Sequence, residues 1–79
     1  MNTQLNAQKI LAKLFEDTEF SGVDNYPVDI NDLQNDLELN DVEIKLAIEQ
    51  LVSTGLISYR TIGNSMIQLT DKGKLSFKK

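Results

Sequence analysis

The chain has 79 residues, of which 41% are hydrophobic and 25% are charged, and its net charge is −4. A chain of this length and composition forms one globular domain around a single small core. It contains no cysteine and no histidine, which excludes disulfides, thiolate chemistry and the commonest general base and zinc ligand. We therefore expect a single domain over residues 1–79 that is not an enzyme, with no cofactor and no small-molecule substrate.

Charge is distributed unevenly along the chain. Residues 1–53 contain three lysines against eleven carboxylates, a net charge of −8, whereas residues 54–79 contain five basic residues against one aspartate, a net charge of +4. An acidic body therefore carries a basic C-terminal third. No apolar run approaches the roughly 18 residues of a membrane span, and the N-terminus lacks the layout of a signal peptide. We expect a cytoplasmic protein with no membrane partner.

The first predicted element is an amphipathic helix over about residues 3–17. Its apolar side chains recur every three to five positions, which places them on one stripe of a helix. Glu16, Asp17 and Glu19 then follow, and acids are mildly unfavourable at a helix C-terminus. The pattern therefore predicts that the helix ends near residue 17.

The next segment is predicted to be a loop followed by a short strand. Gly22 and the only proline, Pro27, favour irregular backbone here. Phe20 and Tyr26 are expected to cover one edge of the small core. Residues 27–30 are predicted to form a short edge strand.

Two capping signals mark the helices that follow. Asparagine is followed three positions later by glutamine or glutamate at Asn31–Gln34 and at Asn40–Glu43. In a capping box the two side chains satisfy backbone N–H groups that have no partner within the helix. The sequence therefore predicts a short helix over about residues 31–37 and a longer one over about residues 41–54.

Gly55 is predicted to end the longer helix. A glycine adopts the left-handed conformation at no steric cost, and Leu51 and Leu56 occupy the positions of the hydrophobic pair in a Schellman motif. A period-two pattern with a Gly63-Asn64 turn then predicts a β-hairpin over about residues 56–70. Thr70-Asp71 is predicted to cap a last helical turn over about residues 71–77.

Two stretches resemble the winged-helix superfamily. Leu51-Val52-Ser53-Thr54-Gly55-Leu56-Ile57 is similar to the end of the recognition helix in small bacterial regulators. Leu69-Thr70-Asp71-Lys72-Gly73 resembles the stretch after the wing in the multiple-antibiotic-resistance-regulator and phenolic-acid-regulator families. The resemblance, which covers roughly residues 28–75, implies an α+β fold, a winged helix-turn-helix with a three-helix core, a C-terminal β-hairpin wing and a short C-terminal helical turn.

In that superfamily the second helix of the helix-turn-helix enters the major groove of DNA, and the wing contacts the backbone. The resemblance places six residues of the 41–54 helix at the groove: Asp41, Val42, Glu43, Lys45, Leu46 and Glu49. Base and phosphate contacts favour Arg, Lys, Asn, Gln, Ser and Thr, whereas DNA repels a carboxylate that has no cationic partner. The composition of this face therefore argues against recognition in the major groove.

Two functional hypotheses follow. In the first, the chain is a winged-helix regulator that binds DNA through a basic wing and tail, with contacts from Arg60, Thr61, Asn64, Lys72, Lys74 and Lys45. In the alternative, it is a protein–protein interaction module, including pairing with a second copy as a homodimer, through Val42, Leu46, Asp41, Glu43 and Glu49. The alternative requires that Val42 and Leu46 are exposed rather than turned inward against neighbouring leucines.

An acidic cluster, Asp29, Asp32, Asp36 and Glu38, raises the question of a metal site. A calcium loop of the EF-hand type needs oxygen ligands at positions 1, 3 and 5 and glycine at position 6. Counted from Asp29, position 5 is Leu33 and position 6 is Gln34. The spacing does not fit, so we expect a solvated helix face and no bound metal.

Overall fold

The computed structural model describes residues 2–22, 26–60 and 66–76. These residues form an α+β fold of four helices and a three-stranded antiparallel sheet, which confirms the predicted fold class at this level. In chain order the elements are α1 (Thr3–Ser21), β1 (Val28–Asp29), α2 (Ile30–Leu37), α3 (Asp41–Ser53), β2 (Ile57–Tyr59), β3 (Met66–Leu69) and α4 (Asp71–Leu75). None of the helices in the described ranges has both the length and the apolar character that a membrane crossing requires.

Helix α1 is longer than the sequence indicated. It continues past residue 17 to Ser21 and ends at Gly22, whose φ of 70° places it in the left-handed region and whose N–H donates to the carbonyl of Thr18. Thr18 is buried and extends the inward stripe by one turn. Exposed acids at a helix end cost only a few tenths of a kcal/mol, so the buried stripe and the glycine decide where the helix ends.

The longer helix overturns the expectation for Phe20. This residue lies in α1 rather than in a loop, and its side chain is 94% exposed. Tyr26 is also exposed. Neither aromatic ring packs against the core. Phe20 lies two residues beyond the buried Thr18, on the side of the helix that faces away from the buried stripe.

Helix α2 begins earlier than predicted and uses a different cap. Asp29 is the N-cap, and its Oδ1 accepts a hydrogen bond from the N–H of Asn31 at 2.8 Å. The predicted capping box at Asn31–Gln34 is therefore wrong. Ile30 packs partly buried against the core, which places it in the first turn and moves the cap to the residue before it.

The other predicted boundaries have the expected chemistry. At the start of α3, Asn40 and Glu43 form a complete capping box, with hydrogen bonds of 2.8 and 3.0 Å. At the start of α4, Thr70 Oγ1 accepts from the N–H of Gly73 at 3.0 Å. Both of these predicted caps are confirmed.

The sheet has the strand order β1-β3-β2. Val28 pairs with Ile67, and Tyr59 pairs with the same residue from the other side. The predicted edge strand is confirmed as β1, and β2 and β3 are the strands of the predicted hairpin. The predicted turn at Gly63-Asn64 lies outside the described residues.

One hydrophobic core joins these elements. Helices α1 and α3 pack against each other, and the inner face of the sheet closes one side. The buried hydrophobic residues are Ala7, Ile10, Leu11, Leu14, Val28, Leu33, Ile44, Ala47, Ile48, Leu51, Ile57, Ile67 and Leu69. This packing turns the opposite side of α3 to solvent.

Candidate functional site

The C-terminal end of α3 is closed by a complete Schellman motif. Gly55 has a φ of 80°, its N–H donates to the carbonyl of Val52, and the N–H of Leu56 donates to the carbonyl of Leu51, both at 3.0 Å. These two bonds satisfy carbonyls that the helix leaves without a partner. The predicted role of Gly55 is confirmed.

The start of α4 completes this end of the helix. Thr70 donates from its hydroxyl to the carbonyl of Gly55 and from its N–H to the carbonyl of Leu56. Gly73 lies so close that a Cβ there would overlap the carbonyl oxygen of Leu56. The two stretches that resemble winged-helix regulators therefore contact each other directly, and these contacts hold α4 against the end of α3.

Lys72 belongs to the same junction. Its Nζ donates to the carbonyl of Thr54 at 2.9 Å, and its side chain lies over Gly55. A cation at this position also complements the negative end of the helix dipole. The lysine predicted to contact phosphate thus has a structural partner within the domain.

The remaining predicted phosphate contacts are dispersed over several elements. Arg60 is exposed at the end of β2, where its Nη1 donates to Gln68 Oε1 at 2.8 Å across the sheet. Lys74 is half-buried in α4, and Lys45 is exposed on α3. Thr61 and Asn64 lie outside the described residues, as do Lys78 and Lys79 of the tail.

The outer side of α3 carries the residues predicted for a protein interface. Val42 is 58% exposed and Leu46 is 38% exposed, so both face solvent rather than turning inward. Asp41, Lys45 and Glu49 are exposed beside them. We call these five residues the α3 surface. Its apolar pair lies one helical turn apart, and its three charged residues lie along one edge of that pair.

Two of the predicted acids also have local structural roles. Asp41 Oδ1 accepts from Gln34 Nε2 at 2.8 Å, which ties α3 to α2. Glu43 is half-buried and completes the capping box with Asn40. Acids in a first turn also complement the helix dipole. These roles account for the acids, but they do not account for the exposed valine and leucine.

Beside the α3 surface lies an apolar groove between α3 and the sheet. It has a volume of about 220 Å³ and is lined by Ile30, Ile44, Lys45, Ile48 and Tyr59. Lys45 belongs both to this groove and to the α3 surface. Sequence reasoning missed Ile30 and Tyr59, because their proximity to α3 depends on how α2 and the sheet pack.

The predicted acidic face lies along a separate cleft. Asp29, Asp32 and Asp36 line a polar space of about 350 Å³ together with Asp17, which is paired with Lys13 at 3.6 Å. Glu38 does not line this cleft. Within residues 2–22, 26–60 and 66–76, no group of three or more His, Cys, Asp or Glu side chains is placed to hold a metal ion.

Comparisons with protein-family models, with curated proteins and with solved structures found no match to this chain.

Proposed function

We propose that the chain is a winged-helix domain that binds a protein partner through the α3 surface. The fold assignment is supported by the element order from α1 to α4 and by the pairing of β1 with β3, the second strand of the hairpin. The observation that carries the function is the exposure of Val42 and Leu46 on the helix that such domains use for recognition. Adjacent exposed apolar side chains with a charged rim are typical of protein interfaces.

The charges on the α3 surface define the chemistry of this partner. Asp41 and Glu49 lie along one edge of the apolar pair, and Glu43 lies on the other edge, one turn before Leu46. A binding segment with apolar side chains and neighbouring lysine or arginine complements this arrangement. A second copy of the chain would bring two faces of net negative charge together in a two-fold interface, which favours a basic partner over self-pairing.

The test is a selection of peptides from a random displayed library against the immobilised domain. We expect the selected peptides to carry two apolar residues at helical spacing together with Lys or Arg. Binding should be lost in the double variant Val42→Asp plus Leu46→Asp. The fold should tolerate these changes, because both side chains are exposed and an acid in the first turn complements the helix dipole.

A matched control has the same charge change at the same spacing. Gln8→Asp plus Ala12→Asp places two acids on the exposed side of α1 and should leave peptide binding unchanged. Peptides that bind the α3 double variant as well as the original chain would overturn the proposal. Sedimentation that shows a dimer dissociated by the α3 double variant would replace the basic partner with a second copy.

A second candidate function is binding of nucleic acid through the basic wing and tail. It is favoured by Arg60, whose guanidinium is held at the end of β2 by Gln68. The test is a titration with duplex DNA at low and physiological salt. Phosphate contacts give an affinity that falls steeply with salt, and Arg60→Gln plus Lys74→Gln should reduce that slope. The same slope in the original chain and the variant would exclude these contacts.

A further inference from the structure

The groove beside α3 extends the proposed interface. It shares Lys45 with the α3 surface, and Ile30, Ile44, Ile48 and Tyr59 make its walls apolar. We infer that the groove receives one aromatic side chain of the same protein partner, which anchors the segment that covers Val42 and Leu46. This inference rests on the proposed function and adds the position and chemistry of the anchor.

The size of the groove selects this occupant. Pockets for small molecules and cofactors usually have about 300–1,000 Å³, whereas this groove has about 220 Å³. A cavity of about 150 Å³ lined by aliphatic side chains is enough for a benzene ring. The groove is open to solvent on one side, so its volume leaves room for about one aromatic ring, and interface anchors are typically aromatic residues.

Lys45 determines which residues can stand beside the anchor. It is the single cation of the α3 surface and also lines the groove, so its flexible side chain brings an ammonium within reach of a residue beside the bound ring. The rest of the partner segment is basic, so Lys45 would repel it at this one point. We therefore expect a carboxylate next to the anchor residue of the partner, with basic residues beside Val42 and Leu46.

The first experiment tests the groove without any partner. The probe is indole, titrated into the protein and followed by the NMR signals of the isoleucine methyl groups. We expect shifts at Ile30, Ile44 and Ile48, and none at Ile10, which is fully buried in α1 and does not line the groove. Equal shifts at Ile10 and at the three groove residues, or none at the groove residues, would overturn the inference and leave the proposed interface at Val42 and Leu46 standing.

The second experiment uses the selected peptides. Tyr59→Lys places a charge on the groove wall, whereas Ser58→Lys, the matched control, places it one residue away on the other face of the sheet. We expect Tyr59→Lys to weaken peptides with an aromatic anchor at least tenfold and Ser58→Lys to weaken them less than twofold. Replacing the anchor by alanine should abolish the difference, because the two changes remove the same contact.

The third experiment repeats the selection with Lys45→Glu. We expect the residue beside the anchor to change from acidic to basic, while the apolar pair and its basic neighbours persist. A selection with the same preference in both proteins would overturn the role of Lys45. Peptides that depend on Val42 and Leu46 but bind equally to the Tyr59 and Ser58 variants would overturn the groove and keep the proposed function. Loss of dependence on Val42 and Leu46 would overturn both.

Discussion

The two ends of α3 differ in what their residues do. At the C-terminal end, which we call the closed end, Gly55 ends the helix and residues of α4 and its cap contact it through hydrogen bonds and close packing. At the N-terminal end, which we call the open end, the capping box joins only Asn40 and Glu43, and Val42 faces solvent beside it. The stretches that resemble known regulators belong to the closed end. Both stretches therefore lie at the junction of α3, the sheet and α4, whereas the proposed interface lies at the open end.

Gly73→Ala, at the closed end, has the largest expected effect of the changes that add atoms to the structure. In a helix this substitution would ordinarily gain about 1 kcal/mol, but here the new Cβ overlaps the carbonyl of Leu56 and lies 3.1 Å from Leu69 Cδ2. We expect a net loss of about 3 kcal/mol in the free energy of unfolding, as for other overpacked sites, measured by urea denaturation.

Gly22→Ala is the control for Gly73→Ala. Nothing lies within 4 Å of the Cβ that would be added at Gly22, so only its positive φ opposes the change. We expect a loss of about 1 kcal/mol there. A Gly73→Ala protein that is as stable as the original, or more stable, would show that α4 does not pack tightly on the end of α3.

A smaller effect is expected for Lys72→Met, which keeps the side-chain stem over Gly55 and removes the ammonium group. The variant loses the hydrogen bond to the carbonyl of Thr54 and the favourable charge at the helix end. We expect a loss of roughly 0.5–1 kcal/mol in the free energy of unfolding. Lys72→Arg should retain most of the stability, and Lys9→Met, on the exposed side of α1, should change it little. Equal effects of Lys72→Met and Lys9→Met would contradict the structural role.

The smallest effect on stability is expected at the open end. Val42→Thr plus Leu46→Gln removes the exposed apolar pair, and we expect the free energy of unfolding to change by less than about 1 kcal/mol, as for surface substitutions. Leu51→Ala, on the buried side of the same helix, should cost about 2–5 kcal/mol. A large loss in the double variant would mean that these residues support the core, and the comparison between the two ends would fail.

The parts of the fold that were predictable from the sequence depend on local chemistry. The box at Asn40–Glu43, the stop at Gly55 and the cap at Thr70 need only a few neighbouring residues, and all three are confirmed. The cap at Asp29 and the extension of α1 to Ser21 were missed. Both depend on which side chains the rest of the domain buries, and a local pattern does not contain that information.

The candidate site was likewise predictable from the sequence only in part. Val42 and Leu46 could be placed on one helix face from their spacing, but their exposure depends on where the core lies. The groove at Ile30 and Tyr59 combines residues from α2, α3 and β2, so no stretch of sequence contains it. Lys72 stands out in the sequence only as a positive charge. Its hydrogen bond to the carbonyl of Thr54 shows that it stabilises the C-terminal end of α3.

The strand order has a consequence for how the domain meets other chains. Its two edge strands, β1 and β2, have two and three residues in the described part of the chain. An edge strand exposes unpaired N–H and C=O groups that can recruit a further strand, and natural proteins limit this by keeping edges short. So few residues offer an incoming strand only a brief ladder. Within the residues that the structure describes, the edges of the sheet therefore give edge-to-edge aggregation little backbone to extend.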